Sequence, residues 1–467
     1  MKRILLSILM VLVLATSSFA AIGAATVWEI RQDATANNVN GGGFDSGVAV
    51  PGTDYSQQAA AQDYGTDLAC ADGDVATPTV TSATHDFVTA DEGNIIHITA
   101  GTGWTAGWYL ITDTSANAAI LDRACGTDGE KTGGTWYEGG ALSLGSSTAG
   151  RTDDDVFEML SPGNIVYVKY SSTTITWGTV PAVAKDGTAL LPIEVIGYDT
   201  NRTTTNADVN RQSFSSATPV FGDYTKFANL IMTSSSGIAL SLGTYSSMRN
   251  MKVSSTYNNS TYAAVSVNHY SEVLNCDIQS QYGTCLNVTH NGKVIGNYLK
   301  GITNGVYVSG TAPMIGFNVI SGVSTGILLE SDLNKGLILN NTLFGTEATS
   351  GTGINLVNGA NFTIANNIIY GWATGVNASA LDKTNTFYNN NLYNNDTNRT
   401  NVLQGAGDLA ADPAFVDTST DDFTPGVSMK ANAMPGAFST AVTGYLDIGA
   451  VQRVEPTGGS GGGAYAF

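Results

Sequence analysis

The sequence predicts an all-β chain built around a right-handed parallel β-helix of about ten coils, and three observations carry that expectation. Short β-prone triplets recur every 21 to 26 residues between about 228 and 393: Leu230-Ile231-Met232, Met251-Lys252-Val253, Cys276-Asp277-Ile278, Asn297-Tyr298-Leu299, Asn318-Val319-Ile320, Asn341-Thr342-Leu343, Asn367-Ile368-Ile369 and Asn391-Leu392-Tyr393. A second segment, usually opened by glycine, follows, as in Gly305-Val306-Tyr307-Val308, Gly326-Ile327-Leu328-Leu329 and Gly353-Ile354-Asn355-Leu356. Finally, Asn297, Asn318, Asn341, Asn367 and Asn391 hold one position of five consecutive units.

A unit this short cannot bury its own inward face, whereas stacked units share one continuous core. Leucine-rich repeats have a similar length, but their Leu-x-x-Leu-x-Leu spacing is absent, and no helical half-repeat is present. The recurring asparagines predict an internal ladder, because each amide both donates and accepts and can satisfy its neighbour at the strand spacing of about 4.8 Å. Leu230, Met251 and Cys276 continue that column as apolar rungs. The longer units carry Tyr257–Tyr262 and Thr346–Thr352 as inserts, which places the extra length in turns. Gly163–Val168 and Pro192–Tyr198 read as earlier, less regular coils, and ten coils make a rod of about 50 Å.

The flanks divide the chain as follows. Lys2 and Arg3, the apolar run Ile4–Ala15 and Ser18-Phe19-Ala20 read as an export signal over 1–20. Residues 21–150 read as a β-rich subdomain that covers the open end of the solenoid, with a short helix at Ser56–Leu68 and strands around Ile95–Ile98, Trp108–Ile111 and Ala119–Leu121. The solenoid spans 151–400, a turn-rich cap 401–455, and a glycine-rich flexible tail 456–467.

Charge and cysteines narrow the function classes. The formal net charge of −19 repels nucleic acid and disfavours unassisted binding of polyuronates. No segment after the export signal is long and apolar enough to span a bilayer, so a secreted protein, extracellular or at a cell surface, is expected. In an oxidising compartment Cys70, Cys125, Cys276 and Cys285 would allow two disulfides, with Cys70–Cys125 and Cys276–Cys285 keeping partners within their own regions.

The repeats, together with Asp412-Pro-Ala-Phe-Val-Asp417, Pro425-Gly426 and Asp447-Ile-Gly-Ala450, resemble secreted right-handed β-helix proteins of the pectate-lyase-like superfamily over about 160–452. The C-terminal signature is similar to that of bacterial surface β-helix proteins. Val27–Arg31, Asn40–Gly43 and Gly52–Gln58 also resemble exported or virion-associated β-helix proteins. The superfamily implies a fold much more narrowly than an activity, since the same solenoid serves lyases, hydrolases, tailspikes and adhesins.

An inverting polysaccharide hydrolase on this scaffold needs two carboxylates about 6.5 to 9.5 Å apart, hence outward acids on neighbouring coils or strands. The outward column reads Lys252, Asp277, Tyr298, Val319, Thr342, Ile368 and Leu392, with one acid. A lyase needs a basic residue and a neutralising cation, for which Lys252, Asp277, Arg249 and Lys300 are the candidate catalytic residues. Calcium could bind Glu330 with Asp332, or Asp153-Asp154-Asp155, though neither spacing forms a defined loop. His85, His97, His269 and His290 are isolated in sequence and no nucleophile-elbow or zinc-protease motif occurs. Val319, Ile368 and Leu392 predict an outward apolar strip, to be covered by the 405–451 tail or by another chain or glycan. The expectation is a secreted, non-enzymatic β-helix that binds a surface polysaccharide or forms an adhesin-like or particle-surface component, with a homo-oligomer open. The alternative is a calcium-dependent lyase of acidic glycans or a glycoside hydrolase.

Overall fold

A two-residue corner joins the first sheet to the second in eight successive coils, and it sets the architecture. In the computed structural model, which describes residues 23–32, 39–143, 157, 159–176, 185–203, 211–215, 221–330, 335–345, 350–357, 361–382, 384–429, 432–433 and 447–452, Thr225–Ala228 is followed by Asn229-Leu230 and then by Ile231–Ser234. The spacing repeats down to Thr386–Tyr388, Asn389-Asn390 and Asn391–Tyr393. The first corner residue is left-handed: φ is +59° at Asn229, +52° at Asn250, +53° at Asn275, +54° at Asn340, +59° at Asn366 and +49° at Asn389. Asparagine tolerates that region at low cost, so the chain turns sharply without added length. The second corner residue points into the rod.

Three parallel sheets result. Among the described residues sheet 1 holds twelve strands, from the antiparallel pair Thr26–Ile30 and Gly43–Asp45 to Thr386–Tyr388; sheet 2 holds ten, from Ile175–Thr176 to Asn391–Tyr393; sheet 3 holds eight, from Leu240–Leu242 to Thr397–Thr400. Met248, Val273 and Val294 of sheet 1, Val253, Ile278 and Leu299 of sheet 2 and Val265, Leu286 and Val306 of sheet 3 are buried in one cluster that runs from Trp28 to Val402. The right-handed parallel β-helix expected from the repeats is therefore the observed fold.

The asparagine ladder forms with one change. Asn297 Nδ2 donates to Asn318 Oδ1 at 2.9 Å, Asn318 to Asn341 at 2.9 Å, Asn341 to Asn367 at 3.0 Å and Asn367 to Asn390 at 2.9 Å. Each amide also donates to a main-chain carbonyl of the preceding coil, as Asn341 does to Ile315 O at 3.0 Å. The fifth rung is Asn390, not Asn391, because Ile368 pairs with Asn391 and Asn389 takes the left-handed corner. The shift carries through the coil: Leu392 is buried in the core and Tyr393 points outward, the reverse of the expected orientation. Asp408 closes the ladder, accepting from the Asn390 main-chain N at 2.8 Å and from Arg399 at 2.7 Å.

In chain order, between the strand pair that opens sheet 1 and strand Ile165–Lys169, which pairs directly with Thr26–Ile30, comes a closed antiparallel barrel of six strands, Asp63–Cys70, Thr79–Thr81, Ala118–Leu121, Gly107–Ser115, Ile95–Ala100 and Lys131–Glu138 in spatial order. Its own core includes Leu68, Phe87, Ile96, Ile111 and Trp136. Alternate residues of the same strands, Ile95, Trp108 and Leu110, join Trp28 and Leu142 in the solenoid core, so the barrel packs onto the first coil. The short helix expected at Ser56–Leu68 is instead a single 3-10 turn, Tyr55–Gln57, capped by Asp54, and then the barrel strand from Asp63. Cross-strand pairing outweighs the local helical pattern there.

All four cysteines are buried free thiols, so neither expected disulfide is formed in this structure. Cys276 occupies a ladder position with its Sγ 3.2 Å from Leu274 O, while Cys285 sits in sheet 3. Burial pushes both thiols up to about 12. Cys125 is also raised to about 12, by burial and then by the adjacent Cys70 thiol. The export signal, Asp332, Asp153-Asp154-Asp155 and the glycine-rich tail lie outside the described residues. Among the described residues no helix is long and apolar enough to cross a membrane.

Candidate binding face

The outward face of sheet 2 changes character halfway along the rod. Ile231, Lys252, Asp277 and Tyr298 occupy one outward position on four paired strands, with Thr233, Ser254, Gln279 and Lys300 beside them. From the next strand on, that position reads Val319, Thr342, Ile368 and Asn391, all buried, and its neighbour Ser321, Phe344, Tyr370 and Tyr393.

The C-terminal segment covers this second half, as the sequence led us to expect of the 405–451 region. Ile368 packs with Met429, Ala433 and Ile448. Phe415 and Phe423 lie 6.1 and 5.1 Å from the ring of Phe344, which stacks on Tyr370. The Asp447-Ile-Gly-Ala450 signature now has a physical reading. Gly449 has φ +106° and donates to Asn366 O at 2.9 Å, and a Cβ there would meet Ile368 Cδ1 at 2.7 Å. Only glycine fits that approach.

The first half is open and polar. Asp277 pairs in register with Lys252 on one side and Tyr298 on the other, and it accepts from Gln279 Nε2 at 3.2 Å. Lys300 marks the border with the tail through a half-exposed ion pair to Asp421 at 3.3 Å. Burial and then the Asp421 carboxylate raise the Tyr298 phenol, against the Ser321 hydroxyl 3.2 Å away, which lowers it. The structure thus groups Lys252, Asp277 and Lys300 on one face. Arg249 is separated from them: it lies on strand Ser247–Arg249 of sheet 1, and the Asn250-Met251 corner turns the chain before Lys252. Among the described residues in these two columns of the open half, Asp277 is the one carboxylate.

An aromatic edge flanks this face. Tyr262, Tyr282 and Ile302 occupy the corner between sheets 2 and 3 on three adjacent coils and are 43%, 37% and 53% exposed. Thr303 fixes their stacking, donating from its Oγ1 to Tyr282 O at 3.1 Å and from its N to Gly283 O at 3.3 Å. Tyr257, from the insert, meets Tyr262 with ring centroids 5.4 Å apart. A second aromatic row differs: Tyr224, Tyr245 and Tyr270, on another corner, stack face to face at 4.9 Å and use their ring faces on one another. His269 and His290, isolated in sequence, are brought together by adjacent coils with centroids 4.5 Å apart. Glu330 accepts from the Tyr307 hydroxyl, which raises that phenol to about 12.

Residues 218–406 match the family model described as periplasmic copper-binding protein (NosD). Among solved structures, a pectate lyase is similar at 14% identity and a TM-score of 0.50, over 66% of this chain and 92% of that one. An alginate lyase from Paenibacillus sp. has 13% identity and a TM-score of 0.30 over 55% of this chain and 94% of that one. The catalytic unit of a thermostable GH87 alpha-1,3-glucanase from Streptomyces thermodiastaticus has 12% identity and a TM-score of 0.33 over 75% and 88%. No curated protein matches the chain. At such identities the pectate lyase speaks to the fold alone, and it agrees with the strand order: the chain is a right-handed parallel β-helix protein, and its match to the NosD model is confined to residues 218–406.

Proposed function

We propose that this protein is exported and binds a polysaccharide, without cleaving it, along the open half of sheet 2. The observation that carries the reading is the pairing of an uncovered polar strip, Lys252, Asp277, Gln279 and Lys300, with the exposed edge Tyr262, Tyr282 and Ile302. Aromatic side chains offer rigid apolar area with a polar tip, and the strip supplies donors and acceptors for hydroxyl groups. Binding is favoured over hydrolysis because Asp277 is the one carboxylate on the strip's own strands, and Asp421, the second acid that an inverting pair would need, is held at the border in its ion pair with Lys300. The leader at residues 1–20 and the periplasmic name of the matched family support export.

Affinity electrophoresis of the full chain against neutral and acidic polysaccharides tests this. Retardation by at least one polymer is expected, lost in the Tyr262→Ala, Tyr282→Ala double variant. Release of unsaturated or reducing ends, with or without calcium, abolished in Lys252→Ala or Asp277→Ala, would replace it with the lyase or hydrolase reading.

A second reading rests on the His269 and His290 rings at 4.5 Å and on the copper-binding name of the matched family. Imidazole suits copper, and two rings on adjacent coils could share one ion. Copper retention lost in His269→Ala, His290→Ala would support it, and equal retention would remove it.

A further inference from the structure

The barrel gathers a second set of charged groups away from the solenoid. Asp63 and Glu138 stand directly opposite on antiparallel strands, an arrangement that like charges disfavour. Asp91 closes the 3-10 turn Thr89–Asp91, and His85 comes from the connection before it. His85 Nδ1 lies 2.6 Å from Asp63 Oδ2, while its Nε2 lies 3.2 Å from Asp91 Oδ2 and 3.6 Å from Glu138 Oε2. One ligand atom from each of His85, Asp91 and Glu138 falls within 4.8 Å of the others. Glu138 is fully buried, and among the described residues neither of its carboxylate oxygens has a hydrogen-bond partner. A buried carboxylate without a donor is costly, so these three acids call for positive charge beyond one imidazole.

We propose that His85, Asp91 and Glu138 bind a divalent transition-metal cation of the zinc type, with Asp63 as a positioning residue. Asp63 accepts from Nδ1–H, which leaves the Nε2 lone pair facing Asp91 and Glu138, as in a carboxylate–histidine–metal arrangement. The main-chain N–H of Val88 donates to Asp91 Oδ2 at 2.8 Å and fixes that carboxylate. Phe87 and Trp136, with ring centroids 4.8 and 5.7 Å from His85, wall off one side. The Asp63 side chain is 38% exposed, which gives water a route to a fourth ligand position. One nitrogen and two carboxylates suit four-coordinate zinc better than calcium, which takes six to eight oxygens. The ion would tie the first and last barrel strands to the connection between them, a structural staple rather than a centre of turnover.

The rival arrangement is a proton shared by Glu138 and Asp91 beside a protonated His85, which neutralises the same charge. To separate the two, the full chain carrying His269→Ala and His290→Ala is stripped with a chelator, titrated with Zn²⁺ and with Ca²⁺, and examined with Co²⁺ by visible absorption. The expected result is a single equivalent of zinc per chain, selectivity over calcium, a raised melting temperature and cobalt bands of a low-coordinate site. Glu138→Gln and His85→Ala should each weaken zinc binding by at least roughly tenfold, and Asp63→Asn by roughly 10- to 100-fold with the stoichiometry kept. No zinc retention by the folded parent chain, calcium bound in preference, or unchanged affinity in Glu138→Gln would overturn the proposal. Should Glu138→Gln fail to fold, the parent titration and Asp63→Asn still decide it.

Discussion

The two halves of sheet 2 share one interior and differ only in what faces outward. Inside, Val253, Ile278, Leu299, Ile320, Leu343 and Ile369 are equally buried along the whole length. Outside, Lys252, Asp277 and Tyr298 give way to Val319, Thr342 and Ile368, and the C-terminal segment covers the second set while leaving the first. Core composition therefore says nothing about which part of a solenoid is free to bind; the single outward position on each strand says it.

The largest effect should come from beneath the boundary, where both halves depend on the ladder. Asn341→Ala removes the acceptor of the Asn318 main-chain and side-chain N–H groups and the donor to Ile315 O and Asn367 Oδ1, and should cost about 3 to 5 kcal/mol in denaturant unfolding. Asn391→Ala should cost clearly less; equal losses would mean that the rung is misassigned. Ile368→Ala, in the covered half, should cost about 2 to 4 kcal/mol by leaving a cavity under Ile448, whereas Ile231→Ala in the open half should cost about 1 kcal/mol or less. Equal costs would erase the distinction between the halves. Lys252→Ala and Asp277→Ala should change stability by no more than about 0.5 kcal/mol while weakening polymer retardation, so a stable variant that still binds normally would move the site elsewhere.

The smallest effect is a pH dependence of the covering segment. Asp417 is held below its ordinary range by hydrogen bonds from the Ser419 side chain and main chain and from Thr420. A depressed carboxyl contributes stability above its unfolded value near 3.8, and the contribution is lost as pH falls through the folded value. Proteolysis near Asp417 should therefore accelerate below about pH 4 in the parent and change less in Asp417→Asn. Cleavage in the open half should not follow that profile.

The period, the inward column and the outward residues were legible because each is a local alternation repeated eight times. The last rung was misread for a local reason as well: Asn389-Asn390-Asn391 offers three candidates, and only the left-handed corner distinguishes them. Closure of the barrel was not legible, since it depends on pairings such as Asp63 with Glu138 that no short window contains. The His85 cluster exists only once that closure is made. At the open face, Lys252, Asp277 and Lys300 were readable from the repeat. Arg249 was misplaced because two residues suffice to turn the chain onto another sheet. Tyr262 and Tyr282 went unread as a pair because an insert of different length precedes the first.

The two-residue corner has a metrical consequence. Because extra length in those eight coils enters only at the other two corners, the edge between sheets 1 and 2 is there a straight graduated scale, with equivalent side chains at one fixed pitch of about 4.8 Å. A chain molecule laid along sheet 2 would meet Lys252, Asp277 and Tyr298 at successive marks. Selectivity among polymers would then follow from commensurability: a repeat that is a whole multiple of the pitch engages every mark, and one that drifts against it engages only the first.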